Sequence, residues 1–88
     1  MELEMKTVTI RYFASIREAL GTGSESLQTP AVTVGALREQ LMSRGDAAAQ
    51  ALAAGKAVRM ALNQDICDAD AVLSNGDEVA FFPPVTGG

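Results

Sequence analysis

Apolar and polar residues alternate along the segment from Met5 to Phe13. Val8, Ile10 and Tyr12 occupy the apolar positions, and two threonines and an arginine stand between them. This period of two is typical of a half-buried β-strand. The last predicted strand ends before a proline, because proline cannot donate a hydrogen bond to a sheet. The other predicted strands are Glu25–Gln28, 57–63 and Glu78–Phe82.

A second pattern, with apolar residues three or four positions apart, predicts helices. The main helix follows Thr33, a favourable capping residue, and stops before Gly45. Its apolar stripe consists of Val34, Leu37, Leu41 and Met42. The remaining predicted elements are a short helix over Ala14–Leu20, an alanine-rich helix over 46–55, a loop over 63–70 and a tight turn at Asn75 and Gly76.

The order of the main elements is strand, strand, helix, strand, strand. If the first two strands are antiparallel and the last lies parallel to the first, this α+β chain forms a mixed sheet covered by one main helix. That arrangement is the ubiquitin-like β-grasp. We expect one β-grasp domain over residues 1–82 and an extended, flexible C-terminal tail over residues 83–88.

Composition argues against several classes of function. The net charge is −4, and the 7 basic residues are scattered along the sequence, so we expect no nucleic acid partner. With no histidine and one cysteine, a metal site or a self-contained hydrolase is not expected. No apolar run approaches the roughly 20 residues of a membrane span, and residues 1–6 do not read as a secretory signal. We therefore expect a cytoplasmic protein with no membrane partner.

The C-terminal sequence FFPPVTGG is suited to being gripped by another protein. Two prolines favour an extended backbone, and the β-branched Val85 and Thr86 have few rotamers. Gly87 and Gly88 have no side chain, so a terminal carboxylate can enter a channel wide enough only for backbone. An adenylating enzyme with ATP can activate such a carboxylate, after which a sulfur donor gives a thiocarboxylate and an amine gives an amide.

The stretch NGDEVAFFPPVTGG, residues 75–88, resembles the C-terminal signature of the small, sulfur-carrier subunit of molybdopterin synthase. RYFASIREALG at 11–21 and VTVGALREQL at 32–41 extend the resemblance over essentially the whole chain. Related sulfur carriers for thiamin and for transfer RNA thiolation share the fold and the glycines, but they usually lack the aromatic and diproline approach. The resemblance therefore implies a part in molybdenum cofactor biosynthesis.

The resemblance also implies a reaction cycle. An adenylating enzyme of the ubiquitin-activating type uses ATP to form an acyl-adenylate at Gly88, and a sulfur donor protein then gives a thiocarboxylate. The large synthase subunit takes up the charged tail, and the sulfur passes to cyclic pyranopterin monophosphate to build the molybdopterin dithiolene. A heterotetramer of two small and two large subunits is implied. The chain itself would bind no cofactor or metal and would have no independent catalytic activity.

Residue roles follow from the same resemblance. Gly88 bears the reactive carboxylate, and Gly87 provides clearance in the channel. Neighbouring strand residues point to opposite faces, so one of Phe81 and Phe82 belongs to the core and the other does not. The tail residues expected to lie in a partner channel are Pro83, Pro84, Val85 and Thr86. The residues assigned to the partner interface are Phe82, Phe13 and Arg17.

Other functions stay open at this point. The chain can be a ubiquitin-like modifier that forms an isopeptide bond with a target lysine, or a β-grasp interaction module whose tail does no chemistry. Ordinary core packing is the alternative role for Phe82, and a solvated charge is the alternative for Arg17. We assign no function to Cys67, which sits between Ile66 and Asp68 and beside acidic Asp65 and Asp70. Negative neighbours raise the pKa of its thiol and reduce the thiolate fraction.

Overall fold

The computed structural model of the chain describes residues 5–53 and 58–84. The predicted strands and helices are present there, and one further strand joins them. The alanine-rich helix predicted over 46–55 ends at Ala51, and positions 54 and 55 lie outside the described residues. In chain order the elements are β1 (Lys6–Tyr12), α1 (Ala14–Leu20), β2 (Ser24–Thr29), α2 (Val34–Met42), α3 (Asp46–Ala51), β3 (Arg59–Leu62), β4 (Asp65–Cys67) and β5 (Glu78–Phe82).

The five strands form one mixed sheet in the order β2-β1-β5-β3-β4. Strand β1 pairs antiparallel with β2 and parallel with β5. Strand β3 pairs antiparallel with both β5 and β4. The expected pairing of the first strand with the second and the last is confirmed, and so is the β-grasp arrangement. The strand that leads into the C-terminal tail therefore lies at the centre of the sheet.

Strand β4 corrects the prediction of a loop over residues 63–70. It pairs with β3 through a two-residue turn at Asn63 and Gln64, since Leu62 lies opposite Asp65 in the register. Both turn residues have positive φ, 51° and 73°. Three residues are too few to show an alternation, and the turn lacks the glycine that usually marks such a hairpin. These two facts explain why the sequence pattern did not indicate the strand.

The main helix is shorter than predicted. It ends at Met42 with Ser43 as its cap, whereas Gly45 is the residue before α3 and not the stop of α2. The predicted cap at its start is confirmed, because the Thr33 hydroxyl accepts a hydrogen bond from the Ala36 N–H at 3.1 Å. The first two N–H groups of this helix donate to the segment 69–71. The Val34 N–H donates to Ala71 O and the Gly35 N–H to Ala69 O, each at 2.9 Å. The cap and these two bonds fix α2 to the segment that follows β4.

The tight turn predicted at Asn75 and Gly76 is confirmed, and it is anchored to the start of β1. Gly76 has φ 88°, a value that glycine adopts without strain. The Thr7 N–H donates to Asn75 Oδ1, and the Gly76 N–H donates to Thr7 O, both at 2.8 Å. The Ser74 N–H donates to Asp77 Oδ2 at 2.7 Å. These bonds fix the residue at which β5 begins to pair with β1.

The core lies between the helices and one face of the sheet. Its members come from every layer of the fold, and the predicted apolar positions of β1 and α2 are buried, apart from the half-buried Met42. The largest fully buried apolar side chains are Val8, Ile10, Val34, Leu37, Leu41, Leu52, Leu73, Val79 and Phe81.

The longest helix among the described residues is α2, with 9 residues. No helix in that part of the chain is long and apolar enough to cross a membrane.

Three polar side chains, Tyr12, Glu25 and Arg44, form a hydrogen-bonded network beside the core. The Tyr12 hydroxyl donates to Glu25 Oε2 at 2.8 Å, and Arg44 Nη1 donates to Glu25 Oε1 at 2.9 Å. Burial, followed by the hydrogen bond to Glu25, raises the pKa of Tyr12 above its ordinary value. The tyrosine therefore remains a neutral donor, and the network ties β1 and β2 to the loop after α2.

Replacing Thr33 with alanine removes the oxygen that accepts the Ala36 N–H. We expect the free energy of unfolding to fall by about 1 kcal/mol, as measured by urea denaturation followed by circular dichroism. Thr33→Ser keeps the hydroxyl and is the matched control, with an expected change below about 0.5 kcal/mol. An equal loss in both variants would show that the threonine methyl group, and not the cap, stabilises α2.

Candidate functional site

The two faces of β5 differ in what covers them. Val79 and Phe81 are completely buried beneath the helices, and the Phe81 ring stacks on Tyr12 with 6.3 Å between ring centroids. Because strand residues alternate between faces, Ala80 and Phe82 point to the other side. Arg11 of β1 pairs with Ala80 and is exposed on that side. This open face of the sheet is therefore where the side chains around the end of β5 become accessible.

A depression of about 670 Å³ lies on this open face along the whole of β5 and the two prolines after it. We call it the open-face depression. Its lining combines apolar surface with a few polar groups, a composition that suits the binding of another molecule. Strand β5 and the residues after it contribute Glu78, Ala80, Phe82, Pro83 and Pro84. The remaining lining residues are Arg11, Phe13, Ala14 and Gln64.

The structure brings together two of the three residues predicted for the partner interface. Phe82 and Phe13 line the open-face depression, and Phe13 is 43% exposed. Arg17 lies instead in a neighbouring groove of about 370 Å³ that also contains Arg11 and Phe13. Its side chain lies over Gly23, where an added Cβ would be 3.2 Å from Arg17 Nε. Arg17 thus belongs to the adjoining surface but not to the depression itself.

Arg11 is a member of the site that the sequence pattern did not identify. Its Cζ lies 5.9 Å from the centroid of the Phe13 ring, within cation–π range. Arg11 Nη1 also lies 4.0 Å from Glu78 Oε1, but both side chains are accessible, so this ion pair stabilises the fold little. The alternation in β1 predicts only that Arg11 faces away from the core. Its place at the depression depends on the register with β5.

Three arginines lie in or near the depression, whose lining also includes the negatively charged Glu78. Arg11 lines the depression and Arg17 lies in the adjoining groove. Arg59 of β3 is exposed and lies opposite Phe82 in the register. Scattered in the sequence, these three arginines come together in the fold. A partner surface that carries carboxylates would complement this part of the molecule.

The beginning of the tail lies against the body. Pro83 and Pro84 are half-buried, and besides the open-face depression they line a second one with residues of α1, including Ile16. The two prolines thus form part of the wall between the two depressions. The predicted tail residues Val85, Thr86, Gly87 and Gly88 lie outside the described residues.

Cys67 lies on β4 opposite the buried Met60 and is half-buried. Burial first, and then the negative charge of Asp68, raises the pKa of its thiol above the ordinary value. The predicted direction is confirmed, and Asp68 is the predicted acidic neighbour that contributes, although burial is the larger cause. Within 5–53 and 58–84, no group of three or more His, Cys, Asp and Glu side chains is placed to hold a metal ion.

Comparison with known proteins identifies the family. The model of the ThiS family matches residues 10–88. The chain belongs to the ThiS family. It is 42% identical to the molybdopterin synthase sulfur carrier subunit of Haemophilus influenzae and 43% identical to that of Escherichia coli, in each case over 92% of this chain and 99% of the relative. The resemblance predicted from residues 11–21, 32–41 and 75–88 is confirmed.

Solved structures agree with the fold of a ThiS family protein. The small archaeal modifier protein 1 of Methanosarcina acetivorans has a TM-score of 0.79 at 23% identity and covers 97% of this chain and 99% of that one. Ubiquitin of Caldiarchaeum subterraneum has a TM-score of 0.55 at 16% identity, covering 97% and 100%. A complex of subunits 1 and 2 of the molybdopterin-converting factor of Helicobacter pylori contains a chain with a TM-score of 0.62 at 28% identity, covering 93% and 99%. The ubiquitin-like β-grasp is thus confirmed.

Two neighbouring phenylalanines of this ThiS family chain should differ sharply in their effect on stability. We expect Phe81→Ala to lower the free energy of unfolding by about 3 to 5 kcal/mol, because it leaves a cavity in the core. The matched change Phe82→Ala should cost about 1 kcal/mol or less, because Phe82 lies on the open face. Guanidinium denaturation of both variants measures the difference. Equal losses would mean that Phe82 stabilises the domain as a core residue.

The thiol of Cys67 should react slowly with iodoacetamide at neutral pH. Because its pKa is raised, a smaller fraction is thiolate at any given pH, and the rate should reach its half-maximum at a higher pH than in a short cysteine peptide. Asp68→Asn removes a negative neighbour and should move that midpoint downward, whereas Asp46→Asn on α3 is the control and should not. A midpoint at or below that of the peptide would contradict this account.

Proposed function

We propose that the chain is the sulfur-carrier subunit of molybdopterin synthase and that the carboxylate of Gly88 is its reactive group. The observation that carries this proposal is the 42 to 43% identity, over 99% of their length, to two proteins of that name. The position of β5 supports it, because a central strand gives the tail a rigid base. The cycle would take place in the cytoplasm.

The proposed chemistry begins with activation of a carboxylate. In an adenylating enzyme of the ubiquitin-activating type, a Gly88 oxygen attacks the α-phosphate of ATP and pyrophosphate leaves. The outer sulfur of a persulfide on the donor protein then adds to the glycine carbonyl and AMP leaves, which gives an acyl disulfide. A second thiol of the donor attacks the donor sulfur of that S–S bond, so that the thiocarboxylate is released and the donor is left with a disulfide. The thiocarboxylate sulfur is transferred to cyclic pyranopterin monophosphate in the large subunit, and water restores the carboxylate. Two such transfers complete one dithiolene.

The roles of the other tail residues follow from steric demands. Gly87 and Gly88 would occupy the narrowest part of a partner's channel, since a Cβ would widen the backbone there. Val85 and Thr86 would supply the side chains that the channel grips. Pro83, which follows the last sheet residue, fixes its own φ and so limits the directions in which the tail can leave the body.

The carrier would be the substrate of its partners and not a catalyst in its own right. The chain has no histidine, the commonest general base near neutral pH. Its one thiol has a raised pKa, so Cys67 is poorly suited to carry sulfur. We therefore propose that the large subunit supplies the acid and base groups and that the adenylating enzyme supplies the ATP site. The chain itself would bind neither cofactor nor metal.

The open-face depression would be the docking surface for the large subunit. Phe82 and Phe13 offer two aromatic side chains at one place, and aromatic residues are enriched in protein interfaces. Arg11, Arg17 and Arg59 would meet carboxylates on the partner and fix its orientation. The Helicobacter pylori complex supports this proposal, because it contains a chain of this fold in a complex of subunits 1 and 2.

The test is intact-protein mass spectrometry after incubation with the matching adenylating enzyme, ATP and a sulfur donor. We expect a mass gain equal to the replacement of one oxygen by sulfur, and fragmentation should confine it to Gly88. Chains that lack Gly88, or that carry one added residue after it, should show no gain and should not support molybdopterin formation. Their melting temperatures should nearly equal that of the parent chain.

The other outcomes separate the alternatives. Covalent adducts with target lysines, without any thiocarboxylate, would identify a ubiquitin-like modifier. A thiocarboxylate that the large subunit does not use would indicate a carrier for thiamin or transfer RNA thiolation. Full function after deletion of Gly88 would leave an interaction module whose tail does no chemistry. A large fall in melting temperature after that deletion would show that the tail is part of the fold.

A further inference from the structure

Backbone strain is concentrated beside the open-face depression. Among the described residues, three other than glycine have positive φ: Ala14 at 51°, Asn63 at 51° and Gln64 at 73°. This conformation brings Cβ close to the carbonyl oxygen and costs free energy in residues other than glycine. Ala14 and Gln64 both line the depression, and Asn63 directly precedes Gln64. The strained positions therefore coincide with one surface.

Gln64 is the least expected of the three. It is the second residue of a two-residue hairpin turn, where both residues need positive φ and glycine is the favoured second residue. Asparagine, at position 63, tolerates this conformation better than most residues because its short polar side chain bonds locally. Glutamine has no such advantage. The turn would be less strained with glycine at position 64, so the needs of the turn do not explain this side chain.

The turn cannot relax the strain by moving, because Asn63 is bonded to the beginning of β5. The Asn63 N–H donates to Glu78 O at 2.8 Å, and the Glu78 N–H donates to Asn63 Oδ1 at 3.0 Å. Asn63 Nδ2 also donates to Asp77 Oδ1 at 3.0 Å. The adjacent Gln64 backbone is thus held in one place relative to β5 and to the depression beside it.

The Gln64 side chain does nothing evident for the isolated domain. It is exposed, and its amide has no hydrogen-bond partner within the part of the chain that the structure describes. Its exposure excludes core packing, and glycine would form the same turn with less strain. What remains is its place on the lining of the depression, together with Phe82 and Phe13.

We propose that the Gln64 amide binds a backbone peptide group of the large subunit when that subunit docks on the open-face depression. An amide side chain has one acceptor oxygen and two donor hydrogens, so it can bond to both the N–H and the C=O of a peptide group. Because the turn is fixed, little backbone entropy is lost when the bonds form, and the entropy cost is confined to the rotamers of the Gln64 side chain. Gln64 is then a residue that orients the partner, and this inference rests on the proposed function.

The experiment compares the affinity of the full chain and two Gln64 variants for the purified large subunit by isothermal titration calorimetry. Gln64→Met keeps the length and the backbone strain but loses the hydrogen bonds; we expect a Kd about tenfold higher and an unchanged melting temperature. Gln64→Gly should also raise the Kd about tenfold. It should raise the melting temperature by about 2 to 4 °C because it relieves the strain.

Gln28→Met is the matched control, because Gln28 is an exposed glutamine on the edge strand β2, away from the depression. The Kd of this variant for the large subunit should equal that of the parent chain. Parent-like binding by both Gln64 variants, or tighter binding by Gln64→Met, would overturn the inference and leave the proposed function intact. A lower melting temperature in Gln64→Gly would overturn the strain argument. Failure of the parent chain to bind the large subunit would overturn the proposed function and this inference with it.

Discussion

Complete burial of Phe81 fixes the geometry on which the site depends. Its ring stacks on Tyr12 beneath the helices, and the β5 backbone is held on both sides, by β1 and by β3. A strand cannot turn one residue inward without turning the next outward, so Phe82 must lie on the open face. Burial of the Phe81 ring in the core thus places the Phe82 ring outside it. The tail leaves the domain immediately after this pair, from a strand that cannot rotate.

The sequence was sufficient for the central part of this architecture. Local spacing alone predicts the alternation around Val8 and Ile10, the cap at Thr33 and the opposed faces of Phe81 and Phe82. These predictions hold in the fold because the local pattern agrees with the burial of each side chain. The C-terminal motif likewise indicated the family. Each of these features depends on residues close together in the chain.

The rest depended on contacts between distant segments. Strand β4 has only three residues and follows a turn without glycine, so it left no periodic signal. The open-face depression joins Arg11, Gln64 and Phe82, which come from three different strands and turns. Only the sheet register places them together, and the register is not contained in any single segment. The same holds for the three arginines near the depression, which are far apart in the sequence.

The anchoring of the turn before β5 has a consequence for how the chain is made. That turn bonds to Thr7, and Thr7 and Asn75 are 68 positions apart. The pairs β1–β2 and β3–β4 are local and can form early, whereas the strand that joins them is the last of the five to be synthesised. Before β5 is available, the chain can form at most these two separate strand pairs, and an isolated two-stranded pair is only marginally stable in water. A chain cut short before β5 therefore has no continuous sheet.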